Sequence, residues 1–172
     1  QHLFEVGKRL LNEPDVDTLL SLAMDSVIET STAERAMIIL FDRNEITFQT
    51  ARNLQKSDID HPKFEISRTI IDKVKNNGEP ICLRNAFDDP TLKISQSVRG
   101  LKILSVICYP LIHEEKVFGV VYLDNRTVRG VFKKDACDFV REFANFISLA
   151  AYNALERKQL FNQVQKLEDE LR

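Results

Sequence analysis

Three cysteines, Cys82, Cys108 and Cys137, carry the most reactive side chains of this 172-residue sequence. They are widely spaced, and they form neither the CxxC pair of a redox motif nor a cysteine–histidine cluster of the kind that binds zinc. Each has apolar neighbours, which favours reduced thiols packed in the core of a protein from a reducing compartment. A reactive or sensing thiol is the alternative.

The other candidates for catalysis are carboxyl and imidazole groups. Asp88 and Asp89 are adjacent and could form a general acid–base pair, but adjacent acids before a proline are also typical of a helix cap. His2 is near the chain end, and His61 and His113 fall in polar segments, which favours solvated side chains. We therefore predict no catalytic residues, no metal site and no enzymatic activity.

Phosphate-binding loops are excluded because none of the five glycines is spaced as GxGxxG or GxxxxGK[ST] requires. The net charge of −2 predicts no general attraction to nucleic acid or to an anionic membrane. No apolar window reaches the ~18 residues of a membrane span, so we expect a cytoplasmic protein. One basic cluster lacks interleaved aromatic residues and is interpreted as a solvated loop: Arg126, Arg129, Lys133 and Lys134.

Helical periodicity is clear in three segments of the first half of the chain. Residues 3–11 form one, and residues 16–28 form a second, for which Asp15 can serve as the N-cap. A third runs over residues 67–77, where the following Gly78 is a typical helix stop.

Five segments are typical of strands. Residues 34–42 are apolar on both faces, which predicts a central strand, and residues 45–53 alternate like a half-exposed antiparallel partner. A short strand is predicted near residues 81–83, and residues 105–125 form a hairpin around a charged turn. The long connection over residues 85–102 is a candidate binding loop, since long ordered loops often carry function.

The C-terminal region from residue 133 onward contains neither glycine nor proline, which predicts one long helix. Its last part has Leu160, Val164, Leu167 and Leu171 at spacings of four, three and four, a coiled-coil seam. Two heptads are too few to be stable alone, so we expect a homodimer. We divide the chain into a domain over residues 1–156 and a signalling helix over the rest, leading to a further output domain.

In this order, the elements resemble a GAF domain. The motifs that carry the resemblance are S-x-T-I-x-x-x-V followed by EP-I, S-V-x-C-x-P-L followed by G-V-x-Y-L-D-N, and A-A-x-N-A-L-E. The resemblance implies an α+β fold with a central antiparallel sheet of five or six strands. Helices cover both faces, and long N- and C-terminal helices lie together. This variety resembles the GAF domains that precede NtrC-like transcription activators or nucleotide cyclases.

The resemblance also implies a regulatory module that binds a small molecule, for which a nucleotide is one candidate and no cofactor is specified. The pocket would lie between the sheet, the helix over residues 67–77 and the connection over residues 85–102. The signal would pass through dimeric terminal helices to the output domain. The candidate ligand-binding residues are Arg43, Ser67, Thr69, Asn85, Asp88, Ser105, Cys108 and Tyr109.

The sequence departs from the NKFDE motif of cyclic-nucleotide GAF domains. Asn125 and Phe132 correspond, but Arg126 replaces the lysine, and Asp135 comes one position early with Ala136 after it. These departures count against cyclic GMP, although a buried Arg126–Asp135 pair would still close the loop. The cysteine that attaches a bilin and a pocket histidine for haem are not matched.

Two alternatives to the sensor remain. One is a dimerisation scaffold whose vestigial pocket is filled by aromatic residues, namely Phe41, Phe64, Phe87 and Tyr109. The other is an enzyme of the free methionine sulfoxide reductase type, for which Cys82 and Cys108 would be the redox pair.

Overall fold

The computed structural model describes residues 2–43, 45–54, 65–83, 105–126, 132 and 135–172. These residues form four helices and five strands, and the expected α+β fold is confirmed. The elements are α1 (His2–Asn12), α2 (Val16–Ser31), β1 (Arg35–Asp42), β2 (Glu45–Arg52), α3 (Glu65–Asn77), β3 (Ile81–Leu83), β4 (Ser105–His113), β5 (Lys116–Asn125) and α4 (Ala136–Glu170).

The strands form one antiparallel sheet in the order β2-β1-β5-β4-β3. β1 is an interior strand, as its two-sided apolar sequence predicts, and its residues 36–40 are all buried. β5 lies at the centre, where Val121 pairs with Ile38 of β1 and with Tyr109 of β4. The hairpin predicted over residues 105–125 is therefore the middle of the sheet.

Each face of the sheet has its own apolar core. Val121 and Leu123 of β5 point toward the helices α1, α2 and α4, while Val120 and Tyr122 point toward α3. This alternation follows from the two-residue repeat of a strand. We call the two surfaces the bundle face and the α3 face.

The turn before α2 begins the helix as the sequence predicts. The Asp15 carboxylate accepts hydrogen bonds from the Thr18 hydroxyl at 2.7 Å and from the Thr18 backbone N–H at 2.9 Å. These bonds stabilise the ionised form and lower the pKa of Asp15. At the other end, Thr32 adopts the left-handed conformation with φ 62°, which ends the helix.

α4 is a single uninterrupted helix of 35 residues, about 50 Å long at ~1.5 Å per residue. Its first half packs on the bundle face through Val140, Phe143 and Ile147. From Arg157 onward every residue is exposed, including the four apolar residues of the predicted coiled-coil seam. Within the described residues, no helix is both long enough and apolar enough to cross a membrane.

Candidate functional site

The α3 face is the surface on which the sequence predicts a ligand. Its middle is apolar and closely packed. Cys108 and Tyr122 of the central strands have no exposed surface there, and Ile70 and Val74 of α3 lie over them. The remaining buried members of this core are Met37, Ile39, Leu54, Ile71, Val106 and Val120.

A buried polar cluster forms one end of the α3 face. Arg35 lies directly opposite Asp124 across the β1–β5 pair, and its Nε donates to Asp124 Oδ1 at 2.7 Å. Its Nη2 also contacts Asp124 Oδ2, which makes the ion pair bidentate. The Tyr122 hydroxyl donates to the same Oδ2 at 2.6 Å. We call these three residues the Arg35–Asp124–Tyr122 cluster.

The cluster belongs to the α3 face because its residues are an even number of positions from apolar residues of that core. Arg35 precedes Met37 by two residues, and Asp124 follows Tyr122 by two. The Asp124 side chain is fully buried and that of Arg35 is 12% exposed. The cluster is therefore a fixed, buried polar group at one end of the α3 face. This cluster was not predicted from the sequence, although an arginine and an aspartate in phase with buried strand positions were the available signal.

The chain segment that leaves β5 is held by a second set of hydrogen bonds. The Glu34 backbone N–H donates to Asn125 Oδ1 at 2.7 Å, and the Arg126 N–H donates to Glu34 Oε2 at 3.3 Å. Asn53 Nδ2 donates to the Glu34 carbonyl at 2.7 Å. The ends of β1, β2 and β5 are thus joined beside the Arg35–Asp124–Tyr122 cluster.

Three of the predicted ligand-binding residues lie on or near the α3 face. Cys108 is in its packed middle, where burial raises the pKa of the thiol and keeps it neutral. Thr69 is an exposed residue of α3, and Ser67 belongs to the same helix. Contact of these residues with a ligand stays a prediction.

The structure does not bring all eight predicted residues together. Ser105 and Tyr109 are odd-numbered residues of β4, and they point to the bundle face because neighbouring strand residues alternate. Arg43 is exposed in the turn after β1, with φ 49°. Asn85 and Asp88 lie outside the described residues. The described residues of this set therefore do not all line one pocket.

The NKFDE-like region is not closed by the residue pair that was expected. Asp135 is exposed and lies at the N-cap position of α4, so the expected buried Arg126–Asp135 pair is not formed. Phe132 is buried against the bundle-face core. Asn125 is fully buried as well, and its amide Nδ2 has no hydrogen-bond partner among the described residues.

The set of aromatic residues expected to fill the pocket is divided in the same way. Phe41 lies at the edge of the α3 face, with Lys75 Nζ 4.4 Å from the ring centre. Tyr109 packs on the bundle face. Phe64 and Phe87 lie outside the described residues.

The prediction of three reduced core thiols is wrong for two of the cysteines. Cys82 is exposed on β3 and forms a disulfide with Cys137 in the first turn of α4. Cys108 is the free, buried thiol. Cys82 pairs opposite Ile107, next to Cys108, so the side chains of Cys82 and Cys108 point to opposite faces. This placement counts against the reductase pair. The Cys82–Cys137 contact was not predicted, because the two residues are 55 positions apart and no local pattern connects them.

Two surface clefts lie away from the α3 face core. One of about 280 Å³ separates the β1–β2 end of the sheet from α4, and one of about 600 Å³ lies between the end of α3 and the β4–β5 turn. Neither is lined by a predicted ligand-binding residue. The first includes Phe118, Tyr152 and Glu156, and the second includes Lys75, Asn77 and Glu115.

Comparison with known proteins agrees with this architecture. The model of the GAF domain family matches residues 15–151. Among curated proteins, the probable 3',5'-cyclic phosphodiesterase pde-5 of Caenorhabditis elegans is 23% identical over 99% of this chain. The chain spans only about a quarter of that relative, 24% of its length.

Solved structures of low sequence identity share the fold. The GAF domain of a phosphoenolpyruvate-protein phosphotransferase from Coxiella burnetii has a TM-score of 0.68 at 15% identity, over 92% of this chain and 95% of that chain. Free methionine-R-sulfoxide reductase from Neisseria meningitidis has a TM-score of 0.66 at 13% identity, over 90% of this chain and 89% of that chain. Because the family model covers most of the sequence, the chain belongs to the GAF domain family.

Proposed function

We propose that this GAF domain is a regulatory sensor that binds a small molecule on the α3 face and transmits the binding event through α4. GAF domains bind small molecules in signalling proteins. The observation that carries the proposal is α4 itself, which packs on the sheet in its first half and leaves it as an exposed helix in its second. The output domain that α4 would control is a transcription activator or a nucleotide cyclase.

The β4–β5 hairpin supports this route because it contacts both sides of the molecule. Its residues Cys108 and Val120 lie under α3, while its turn touches α4. His113 stacks on Tyr152 with ring centroids 3.4 Å apart, and the Ile112 N–H donates to Ser148 Oγ at 3.3 Å. A shift of the hairpin under α3 would therefore move α4 directly.

A ligand can drive such a shift only by binding two arrangements of the molecule with different affinity. The Arg35–Asp124–Tyr122 cluster would fix the polar end of this face, and α3 would have to move from the packed apolar core to admit a molecule. The connection over residues 85–102, which the resemblance implies as the cover of the pocket, lies outside the described residues.

The ligand is the first property to test. The phosphodiesterase relative makes cyclic nucleotides the first candidates, although Arg126 and Asp135 depart from the cyclic-nucleotide motif. We would screen cyclic and linear nucleotides and common metabolites by thermal shift, and confirm a hit by calorimetry. A ligand should raise the melting temperature with increasing concentration. Indifference to every compound would reject the sensor.

A dimerisation scaffold is the second candidate function. The close packing of Cys108, Tyr122 and Ile70 in the middle of the α3 face favours it, because little space remains there for a ligand. Sedimentation of the chain truncated after Ala154, combined with the ligand screen, separates the two functions. A dimer that persists without the tail and binds no compound would support the scaffold.

A reductase activity has less support, although the Neisseria meningitidis enzyme shares the fold. Cys82 is bonded to Cys137 on the bundle face, away from α3, and Cys108 is a neutral buried thiol. Turnover of free methionine sulfoxide with thioredoxin would overturn this conclusion.

A further inference from the structure

We propose that Cys82 and Cys137 form a reversible redox site, a disulfide that exchanges with low-molecular-weight thiols and joins the edge of the sheet to the start of α4. The two residues are bonded in the structure, and their Cα atoms are 6.2 Å apart, within the range that disulfides adopt. Both cysteines lie toward the bundle face, so the redox site does not share residues with the ligand site proposed on the α3 face.

The disulfide joins the edge strand β3 to the first turn of α4. β3 is a three-residue edge strand, and within the described residues its one neighbour in the sheet is β4. Cys82 pairs opposite Ile107 and so points to the bundle face, where Cys137 is the second residue of α4. The disulfide therefore fixes the first turn of the proposed signalling helix to the strand that follows α3.

The exposed position of Cys82 distinguishes this bond from a buried crosslink. Cys82 is exposed and can be reached by a thiolate from solvent, while Cys137 is partly buried against the bundle-face core. Disulfides that are open to thiol attack are the labile and regulatory ones. Cys108 does not compete for the bond, because it is fully buried and points to the other face.

The exchange consists of two successive thiolate attacks. A thiolate RS⁻ attacks Cys82 Sγ, the RS–Cys82 bond forms, and the Cys82–Cys137 bond breaks with its electron pair on Cys137 Sγ. The positive end of the α4 dipole favours this departing thiolate. A second thiolate attacks the R sulfur, forms RSSR and releases Cys82. Water protonates both thiolates, so the protein gains two electrons and two protons, and a small disulfide reverses the process.

Reduction should loosen β3. Without the disulfide, the strand is held by its three pairs with β4, namely Ile81↔Cys108, Cys82↔Ile107 and Leu83↔Val106. Edge strands with so few pairs open readily. The oxidised and reduced proteins would thus differ at β3 and at the first turn of α4, and agree at the central strands.

The first test measures the exchange itself. The wild-type chain is equilibrated in buffers of graded reduced-to-oxidised glutathione ratio, quenched with acid, unfolded and alkylated, and the labels are counted by mass spectrometry. We expect one label, on Cys108, in the most oxidising buffer and three in the most reducing. The Cys137→Ser variant should trap glutathione on Cys82, whereas Cys108→Ala should exchange like wild type.

Two results of this titration would overturn the proposal. Three labels at every ratio would mean that the bond does not form in solution. One label at every ratio, with reduction only after unfolding, would mean a permanent structural crosslink.

The second test measures the connection between β3 and α4. In the reduced wild type, hydrogen exchange should rise in residues 81–83 and in the first turn of α4, and the melting temperature should fall by roughly 5–15 °C. The Cys82→Ser variant, altered at an exposed position, should resemble the reduced protein in every buffer. Identical exchange and melting of the oxidised and reduced wild type would refute the connection.

Discussion

The Asp124 carboxylate lies where water cannot solvate it, and three donor groups from Arg35 and Tyr122 replace the lost water. Removing one member of this set would leave the others buried without their partner, so the buried charge is stable only when all three residues are present. The cluster therefore joins β1 to β5 at one end of the α3 face.

Removing the acid should expose this dependence. We predict that Asp124→Ala lowers the free energy of unfolding by about 3–5 kcal/mol, since Arg35 stays buried without its partner. The matched control is Asp25→Ala, which removes the partner of Arg52 from an exposed ion pair and should cost about 0–1 kcal/mol. Urea unfolding measures both. Equal losses would show that the buried pair has no special role.

The buried thiol of Cys108 should make the free energy of unfolding depend on pH. Burial raises the pKa of its thiol above the ordinary value of 9.0, so the folded protein holds this proton longer than the unfolded chain does. The resulting stability is complete below the unfolded pKa and is lost as the pH rises beyond it. Between pH 9 and 10, wild type should lose about 1 kcal/mol relative to Cys108→Ala, measured by urea unfolding. Parallel pH profiles would contradict the assignment.

At the scale of the elements, local periodicity predicted the helices and strands well. Within α2, α3 and the β4–β5 hairpin, apolar residues recur every two to four positions, so each pattern is visible in the sequence itself. Contacts between distant elements leave no such pattern. Ser105, Cys108 and Tyr109 were therefore predicted as one set, although strand alternation separates Cys108 from the other two. Neither the Cys82–Cys137 bond nor the Arg35–Asp124 pair was predicted.

Gly119 shows how closely two central strands approach. A Cβ atom at this position would lie 2.6 Å from the Ile39 carbonyl oxygen and 2.8 Å from a Leu40 methyl carbon. The carbonyl belongs to the backbone and cannot move aside alone, so the pairing of β1 with β5 must be distorted to admit a side chain.

We predict that Gly119→Ala destabilises the fold by about 2 kcal/mol or more. Gly78→Ala is the control, because Gly78 has φ 69° but an open surrounding, where Val117 is 3.5 Å from the added carbon. That change should cost about 1 kcal/mol, from backbone conformation alone. Thermal unfolding of both variants gives the comparison, and a Gly119 loss no larger than the Gly78 loss would argue against the close approach.

At the scale of the whole molecule, the α3 face and the exposed half of α4 are connected through one central hairpin. The hairpin has a packed residue under α3 and a stacked residue on α4, so the two ends of the proposed pathway share a rigid element. Transmission of a signal along this pathway requires a binding partner for the exposed end of α4. The four seam residues there are between 52% and 88% exposed, which is unusual for large apolar side chains.

We expect a second copy of the chain to pair along this seam, because a spacing of four, three and four residues matches the a and d positions of a two-stranded coiled coil. We predict that replacing Leu160 and Leu167 by Glu weakens dimerisation at least about tenfold, or ~1.4 kcal/mol. The control replaces Gln159 and Gln165, exposed residues outside the seam, by Glu and adds the same charge. Sedimentation over a range of concentrations should show a monomer for the first variant and an unchanged dimer for the second. If both variants dimerise like wild type, the subunits must associate elsewhere, and α4 would have to transmit its signal without pairing along this seam.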